Sequence, residues 1–184
     1  MPKPRWFGAK PTAAPAIITN PDQAWKALSL VVDWIKHAET KAAATLASSG
    51  VTATILYNLV KEEKKFSCIS LVCASACTLF TALAALCAGL ALRPRLRSEE
   101  EPTSPLYYHH IARKYERRSG SDLYIEQLKA LTADADLLVS EIASQIWANA
   151  HVARDKYRWG NYGLTSLLLA LPTLAATAVA IHFT

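Results

Sequence analysis

One short segment of the chain combines side chains that bind phosphate with side chains that stack on bases. It lies at residues 107–118, and its candidate ligand-binding residues are Tyr107, Tyr108, Arg113, Lys114, Arg117 and Arg118. Cationic side chains pair with phosphate, and flat aromatic rings stack on a base or on a cation. The same composition is typical of a membrane surface, where basic residues attract anionic lipid heads and tyrosines favour the interface. Composition alone favours lipid contact over a ligand site, and both interpretations stay open.

The chain contains no convincing set of catalytic residues, and its one pair with metal-ligand spacing, Cys73 and Cys77, lies in an apolar segment without further ligands. The sequence has no glycine-rich phosphate loop, no nucleophile beside a suitable base and no pair of histidines at i and i+4. His109 and His110 are adjacent, so their side chains point apart on a helix and to opposite faces on a strand. All four cysteines lie in one apolar segment, where thiols behave as small apolar groups. We therefore predict no catalytic site, no metal site, no cofactor and no enzymatic activity.

Three apolar blocks must position these residues. Residues 66–92 carry no charge and no proline, and about 20 such residues cross the hydrocarbon core of a bilayer as a helix. Residues 163–183 are strongly apolar, with Pro172 in the middle. Residues 42–60 are uncharged but rich in Ala, Ser and Thr, so this block is expected to depend on a partner helix, with a buried or amphipathic helix as the alternative. The blocks predict an all-α membrane protein with three transmembrane helices.

The positive charges of the chain, whose formal net charge is +5, are distributed unevenly around these blocks. Residues 1–41 contain six Lys and Arg, and residues 93–162 contain eleven. The short turn at residues 61–65 holds three lysines, partly offset by two glutamates. Because segments rich in Lys and Arg stay on the cytosolic side, we predict that the N-terminus and residues 93–162 are cytosolic.

Two helices are predicted to extend the first and third spans into the cytosol. Residues 21–41 lead into the first span without a break, and residues 122–162 read as one long helix that runs into the third. In both, seam residues alternate at spacings of three and four, which is the pattern of helices that pack as a coiled coil. We therefore predict a cytosolic helical stalk, with a loop-like segment at residues 93–121. Residues 1–20, which contain four prolines, are predicted to be a flexible tail.

The seam of this stalk becomes polar close to the membrane. Glu39 on the first helix and Asn149 and Lys156 on the second occupy seam positions there. Glu39 and Lys156 fall at corresponding depths in the predicted stalk, which would allow them to pair. An intrahelical or a solvated arrangement of the two charges is equally open.

Four short motifs occur in order along the chain. An acidic-x-Lys pair enters the first span, Arg-Pro-Arg closes the second, an aromatic pair lies in the middle segment and a Lys-Tyr pair precedes the third span. The residues concerned are Glu39, Lys41, Arg93, Pro94, Arg95, Tyr107, Tyr108, Lys156 and Tyr157. Over residues 22–184 the chain resembles the membrane effectors of bacterial Pycsar anti-phage systems, the PycTM family. It departs from that family at His109 and His110, where a smaller residue is expected after the aromatic pair.

The resemblance implies a function and a ligand. In such systems a neighbouring cyclase makes a cyclic pyrimidine mononucleotide, such as cCMP or cUMP, during phage infection, and the effector then impairs the inner membrane. The implied protein is a non-enzymatic membrane effector that responds to this messenger and oligomerises in a pore-like way. Its implied partners are the lipid bilayer, the cyclic nucleotide messenger and further copies of itself, with no nucleic-acid polymer. Its implied location is the bacterial inner membrane, as a multi-pass protein.

Messenger binding must be coupled to the spans, and the stalk is the predicted route. The stalk residues expected to take part in gating are Glu39, Lys41, Asn149, Lys156 and Tyr157. A second hypothesis is a constitutive membrane scaffold or anchor, whose stalk docks a partner protein and which no messenger makes toxic. A membrane-bound hydrolase that uses His109 and His110 is the weakest of the three hypotheses.

Overall fold

The protein is built from α-helices. A computed structural model describes residues 19–61, 67–93, 105–116 and 120–183, with the backbone alone at residues 108 and 109. These ranges contain no strand, and they form five helices: α1 (Pro21–Lys61), α2 (Cys68–Leu92), α3 (Tyr108–Lys114), α4 (Ser121–Ala133) and α5 (Ala135–His182). The predicted all-α fold is confirmed. Residues 1–18 of the predicted flexible tail lie outside the described residues.

Three of these helices, α1, α2 and α5, are long and apolar enough to cross a membrane. The predicted membrane protein with three transmembrane helices is therefore confirmed. At about 1.5 Å per residue, the 25 residues of α2 match one crossing of a hydrocarbon core about 30 Å thick. The 41 residues of α1 and the 48 residues of α5 are longer than a crossing requires. Both helices must therefore extend beyond the bilayer.

Helix α1 presents one continuous buried stripe along its whole length. The buried positions recur at intervals of three, four or seven residues and are Leu28, Val31, Ala38, Ala42, Thr45, Ser49, Thr52 and Leu56. The hydroxyls in this stripe donate to carbonyls one turn earlier, as Ser49 does to Thr45 over 2.8 Å and Thr52 does to Ser48 over 2.9 Å. Because these hydroxyls are satisfied within their own helix, the stripe can be buried between helices in the bilayer without water.

Helices α2 and α5 approach each other closely because small residues meet at their contact. A Cβ placed on Gly163 of α5 would lie 3.2 Å from the carbonyl oxygen of Ala84 and 3.3 Å from the amide nitrogen of Ala88 in α2. Small residues of this kind let helix backbones approach within a bilayer. Two turns further along the contact, the Cys77 thiol donates to the carbonyl of Ala170 over 3.5 Å. The small-residue contact and this hydrogen bond together define the axial register of α2 against α5.

A separate apolar cluster joins the ends of α1 and α5 that lie away from these small residues. Its buried residues are Leu28, Leu131, Leu138 and Ile142, packed against Ala24, Val32, Leu106 and Ile146. Helix α4 contributes Leu131, so it folds back onto the α1–α5 pair. Contacts of this kind are expected of a helical stalk, while its cytosolic location stays a prediction.

The structure differs from the sequence prediction in two places. The helix predicted over residues 122–162 is interrupted at Asp134, which has an extended backbone and separates α4 from α5. The Asp134 carboxylate accepts from the amides of Asp136 at 2.9 Å and Leu137 at 3.1 Å, so it caps α5 instead of continuing α4. The segment predicted to be loop-like, residues 93–121, contains the short helix α3.

Candidate functional site

The side chain of Lys156 lies where the three long helices meet. Its Nζ atom is 2.9 Å from Oε1 of Glu39 on α1 and donates to the carbonyl oxygen of Ala91 on α2 over 3.0 Å. Ala91 belongs to the last turn of α2, whose carbonyl groups have no amide donor inside the helix. One ammonium group on α5 therefore connects all three helices. We call Glu39, Ala91 and Lys156 the Lys156 node.

The environment of this ammonium group is favourable for a positive charge. The Lys156 side chain is only 8% exposed, whereas that of Glu39 is 43% exposed. A buried charge needs a partner of opposite sign, and the negative end of a helix dipole also favours a cation. The Glu39 carboxylate and the end of α2 supply these two interactions. Lys156 is therefore held in place by electrostatics at a position where an unpaired charge would be costly.

A second contact between α1 and α5 lies directly beside the node. The ammonium of Lys41 lies 5.7 Å from the centroid of the Tyr157 ring, within the range of a cation–π interaction. The acidic-x-Lys motif of the first helix is thus paired with the Lys-Tyr motif of the last, through one ion pair and one cation–π contact. The sequence leaves the pairing of Glu39 with Lys156 open, and the structure contains this ion pair. Asn149, the fifth predicted gating residue, is half-buried two turns earlier on α5, apart from these pairs.

A groove between α1 and α5 opens beside the node. Its volume is about 300 Å³, and polar side chains from both helices line one end of it, including Lys41, Lys156, Tyr157 and Asn161. Further from the node, the lining combines Leu164 and Leu167 with the small polar residues Thr45 and Ser48. Gly160 also lines the groove, and a Cβ placed there would meet no other atom within 4 Å. We call this space the α1–α5 groove.

The predicted ligand-binding residues at 107–118 fall into two groups. Arg113 and Lys114 are exposed on α3, while the Tyr107 ring packs edge to face against His110 at 5.0 Å. The side chain of Tyr108 and residues Arg117 and Arg118 lie outside the described residues. Of the six residues, the structure therefore describes the side chains of two exposed cations and one aromatic ring, and the ligand role of all six stays a prediction.

Tyr115, which belongs to the basic and aromatic segment but is not one of the six predicted ligand residues, fixes α3 onto α4. Tyr115 is buried, and its ring packs against that of Tyr124 at 5.3 Å. Its hydroxyl also contacts Oε1 of Gln127, which accepts a second bond from the Lys114 ammonium over 3.2 Å. An aromatic residue at the end of a basic segment is a weak signal, because the sequence does not say which rings pack inward.

Two further residues contribute to the site without a functional side chain, so their residue types do not indicate a role. Ala91 acts through its backbone carbonyl, and Gly160 acts through the space that its missing side chain leaves. The position of Gly160 one turn after Lys156 on the same helix is the one feature that could have drawn attention to it. The described residues contain no group of three or more His, Cys, Asp or Glu side chains that could hold a metal ion.

Comparison with known proteins gives the family. The profile of the Pycsar effector protein domain, PycTM, matches residues 23–183. The chain belongs to the PycTM family. One relative, the Pycsar effector protein PtPycTM of Propioniciclava tarda, is 32% identical over 96% of this chain and 93% of its own length. No solved structure matches the chain.

Membership of the PycTM family confirms the resemblance on which the functional prediction depends. It implies an anti-phage membrane effector, and this family is not a known enzyme family. The three membrane-spanning helices agree with a multi-pass membrane protein. The node and the α1–α5 groove both lie inside the part of the chain that the PycTM profile matches.

Proposed function

We propose that this protein is a messenger-gated effector of anti-phage defence, which oligomerises and impairs the bacterial inner membrane when a cyclic nucleotide binds. Membership of the PycTM family supports the effector role. The observation that carries the gating step is the Lys156 node, because a single buried ammonium group connects α1, α2 and α5. On this proposal the N-terminus and residues 93–162 face the cytosol, where the messenger is made.

The node can transmit a local change to every span. Helix α1 continues from Glu39 to Lys61, α5 continues from Lys156 to His182, and α2 ends one residue after Ala91. Packed helices move as rigid elements between discrete arrangements, so a change in the contacts of Lys156 alters how all three spans sit together. A rearranged set of spans would expose new surfaces for assembly in the bilayer.

The messenger is proposed to act through the cations and aromatic rings of residues 107–118. The chain passes from Arg93 at the end of α2, through residues 94–104, to Tyr107 and α3. A ligand held by Arg113 and Lys114 would therefore act close in sequence to the end of α2 that Lys156 holds. Arg117 and Arg118 are proposed to contribute to the same site, together with Tyr108.

The free energy required is within reach of one such ligand. Shifting a closed population from 1:99 to 99:1 needs about 5.5 kcal/mol of preference for the open form. Two hydrogen bonds to charged groups contribute about 1.5–3 kcal/mol each, and one stacked base contributes about 1–3 kcal/mol. If several copies switch together, each copy needs to supply only a share of that preference.

Dye release from vesicles tests the proposal directly. The full-length protein is reconstituted into dye-filled vesicles, and cCMP, cUMP or cAMP is added in separate samples. We expect one of the pyrimidine nucleotides to cause release and cAMP to cause much less. Arg113→Ala with Lys114→Ala should weaken the response, because it removes two exposed cations of the proposed site. Absence of release with every cyclic nucleotide would refute the messenger response.

Exposed tryptophans favour a second candidate function, the constitutive scaffold that docks a partner protein. Trp25 and Trp34 on α1 and Trp147 on α5 are large apolar side chains that are exposed in the single chain. Exposed aromatic side chains are common where a protein surface meets a partner. The scaffold predicts a stable heterologous partner and no growth defect with any messenger, whereas the proposed effector predicts self-association and messenger-dependent growth arrest. Purification from cells with and without the cyclase separates the two.

A further inference from the structure

The α1–α5 groove combines positive charge, a flat ring and space of ligand size. Lys156 and Lys41 lie at its polar end together with Tyr157, and its volume of about 300 Å³ lies at the lower limit for small-molecule sites. This is distinct from the exposed cations of residues 107–118. We propose that the groove binds a phosphodiester monoanion, supplied by a cyclic mononucleotide or by the head group of a phospholipid.

The charges around the groove match a ligand of charge −1. Two lysines line the groove, and the one carboxylate at the Lys156 node is Glu39. With all three ionised, one positive charge remains uncompensated in this group. A phosphodiester carries a single negative charge near neutral pH, so it neutralises the group without leaving an excess charge in a half-buried place.

The ammonium of Lys156 also has the hydrogen-bonding capacity that such a ligand needs. A lysine has three N–H donors, and the contacts to Glu39 and Ala91 use two of them. In the part of the chain that the structure describes, these two acceptors leave one donor for a further acceptor. A phosphate oxygen in the groove would complete the set with a charge-assisted hydrogen bond.

The rest of the groove fits the remainder of either ligand. The amide of Asn161 and the hydroxyl of Ser48 are exposed polar groups on α5 and α1, further along the groove from the two lysines, and are suited to hydroxyl or carbonyl groups of the ligand away from its phosphate. Leu164 and Leu167 close the deeper end and would contact a base or the glycerol and first acyl carbons. The nucleotide source depends on the proposed function, whereas the lipid source does not.

Two glycines give a matched pair of variants. Gly160 lines the groove and a Cβ placed there meets nothing within 4 Å, so the side chain of Gly160→Leu would enter the groove from an open position. Gly89 on α2 is equally open, and it is not among the residues that line the groove. Each change replaces glycine by a strong helix former inside a helix, so both variants gain similar helix propensity. Gly160→Leu tests the groove, and Gly89→Leu is its control.

Two binding measurements on the full-length protein distinguish the sources. In the first, delipidated protein in detergent is titrated with radiolabelled cCMP and cUMP. In the second, phospholipid retained by protein extracted from membranes is counted by native mass spectrometry. For the nucleotide titration, both variants also carry Arg113→Ala and Lys114→Ala, so that the exposed cations of residues 107–118 do not contribute. We expect at least tenfold weaker nucleotide binding, or loss of the retained phospholipid, in Gly160→Leu, with Gly89→Leu like the protein without a glycine change. Loss of nucleotide binding alone identifies the nucleotide as the ligand, and loss of phospholipid alone identifies the lipid.

Other outcomes overturn the assignment. If the wild type binds neither cyclic nucleotide and retains no phospholipid, or if Gly160→Leu binds both like the wild type, the groove is not a phosphodiester site. The dye-release assay separates this failure from that of the proposed function. Release by a nucleotide that is equal in wild type and Gly160→Leu, with unchanged binding of both probes, leaves the messenger response intact and refutes the groove. If phospholipid is lost only in Gly160→Leu and no nucleotide causes dye release from the wild type, the groove is a phosphodiester site and the messenger response is refuted.

Discussion

The Lys156 node makes a quantitative prediction about stability. In Glu39→Ala the ammonium of Lys156 loses its carboxylate partner while it remains buried against the end of α2. Removing one partner of a fully buried ion pair costs about 3–5 kcal/mol. Because the Glu39 side chain is 43% exposed, water screens part of this interaction, and we expect about 2 kcal/mol. At about 2–4 °C per kcal/mol, the midpoint of thermal unfolding should fall by about 4–8 °C.

Replacing Lys156, the other partner of the ion pair, should lower the free energy of unfolding by less. In Lys156→Met the apolar stem is retained and no buried charge remains, while Glu39 can turn to water through its exposed side. The remaining penalty comes from the Ala91 carbonyl, which loses its donor, at about 1 kcal/mol. Adding Glu39→Ala to Lys156→Met should then cost less than about 0.5 kcal/mol, since the charge that Glu39 compensates is already gone.

The measurement is thermal unfolding of the purified protein in one detergent, followed by circular dichroism. The control is Asp33→Ala, which breaks the ion pair with Lys36 on the outer face of α1. That pair spans 3.2 Å with side chains 54% and 70% exposed, so its loss should change stability by less than about 0.5 kcal/mol. A Glu39→Ala variant as stable as Asp33→Ala, or additive effects of the two node substitutions, would refute the reasoning.

Two further predictions concern the contacts between helices. Gly163→Leu should prevent α2 and α5 from packing, because even its Cβ would lie 3.2 Å from the Ala84 carbonyl oxygen, and we expect little folded protein by size-exclusion chromatography in detergent. Normal yield in Gly163→Leu would contradict the close approach, and Gly89→Leu, with open space at its Cβ, is the control. Tyr157→Leu should cost about 0.5–1 kcal/mol through loss of the cation–π contact with Lys41, measured by the same unfolding assay. The effect should vanish when Lys41 is already replaced by Met, and an equal loss in that background would exclude the cation–π contact as its cause.

The membrane fold was predictable because the bilayer imposes a simple requirement. A crossing helix needs about 20 apolar residues and must form all its backbone hydrogen bonds internally, and the sequence shows where both conditions are met. The end of α4 at Asp134 could not be predicted in the same way. Aspartate occurs inside helices and at their starts, and neither glycine nor proline marks this boundary. Whether Asp134 continues α4 or caps α5 depends on how α4 packs against α5.

The pairing at the site was only partly predictable. The seam pattern placed Glu39 and Lys156 at corresponding depths, but partners 117 positions apart along the chain meet only if the two helices pack in one axial register. That register depends on contacts between α1 and α5, such as the cluster of Leu28 with Leu138 and Ile142, which sequence spacing does not pair. The acceptor on α2 is a backbone carbonyl, so no residue type could have indicated it. The α1–α5 groove follows from the same register, since Gly160 opens it only where the helices lie side by side.

The node and the groove share one ammonium group, which gives the proposed ligand a way to act on the helices. A phosphodiester beside Lys156 brings a second negative charge close to Glu39. Two like charges about 5 Å apart repel by about 3 kcal/mol at an effective dielectric constant of about 20. Occupancy of the groove therefore weakens the attachment of α1 to the node. Because such coupling is reciprocal, loss of the Glu39 charge must tighten the ligand by the same free energy that the ligand takes from the ion pair. Glu39→Ala thus lowers stability while raising affinity for the probe that binds in the groove, a combination that simple loss of packing does not produce.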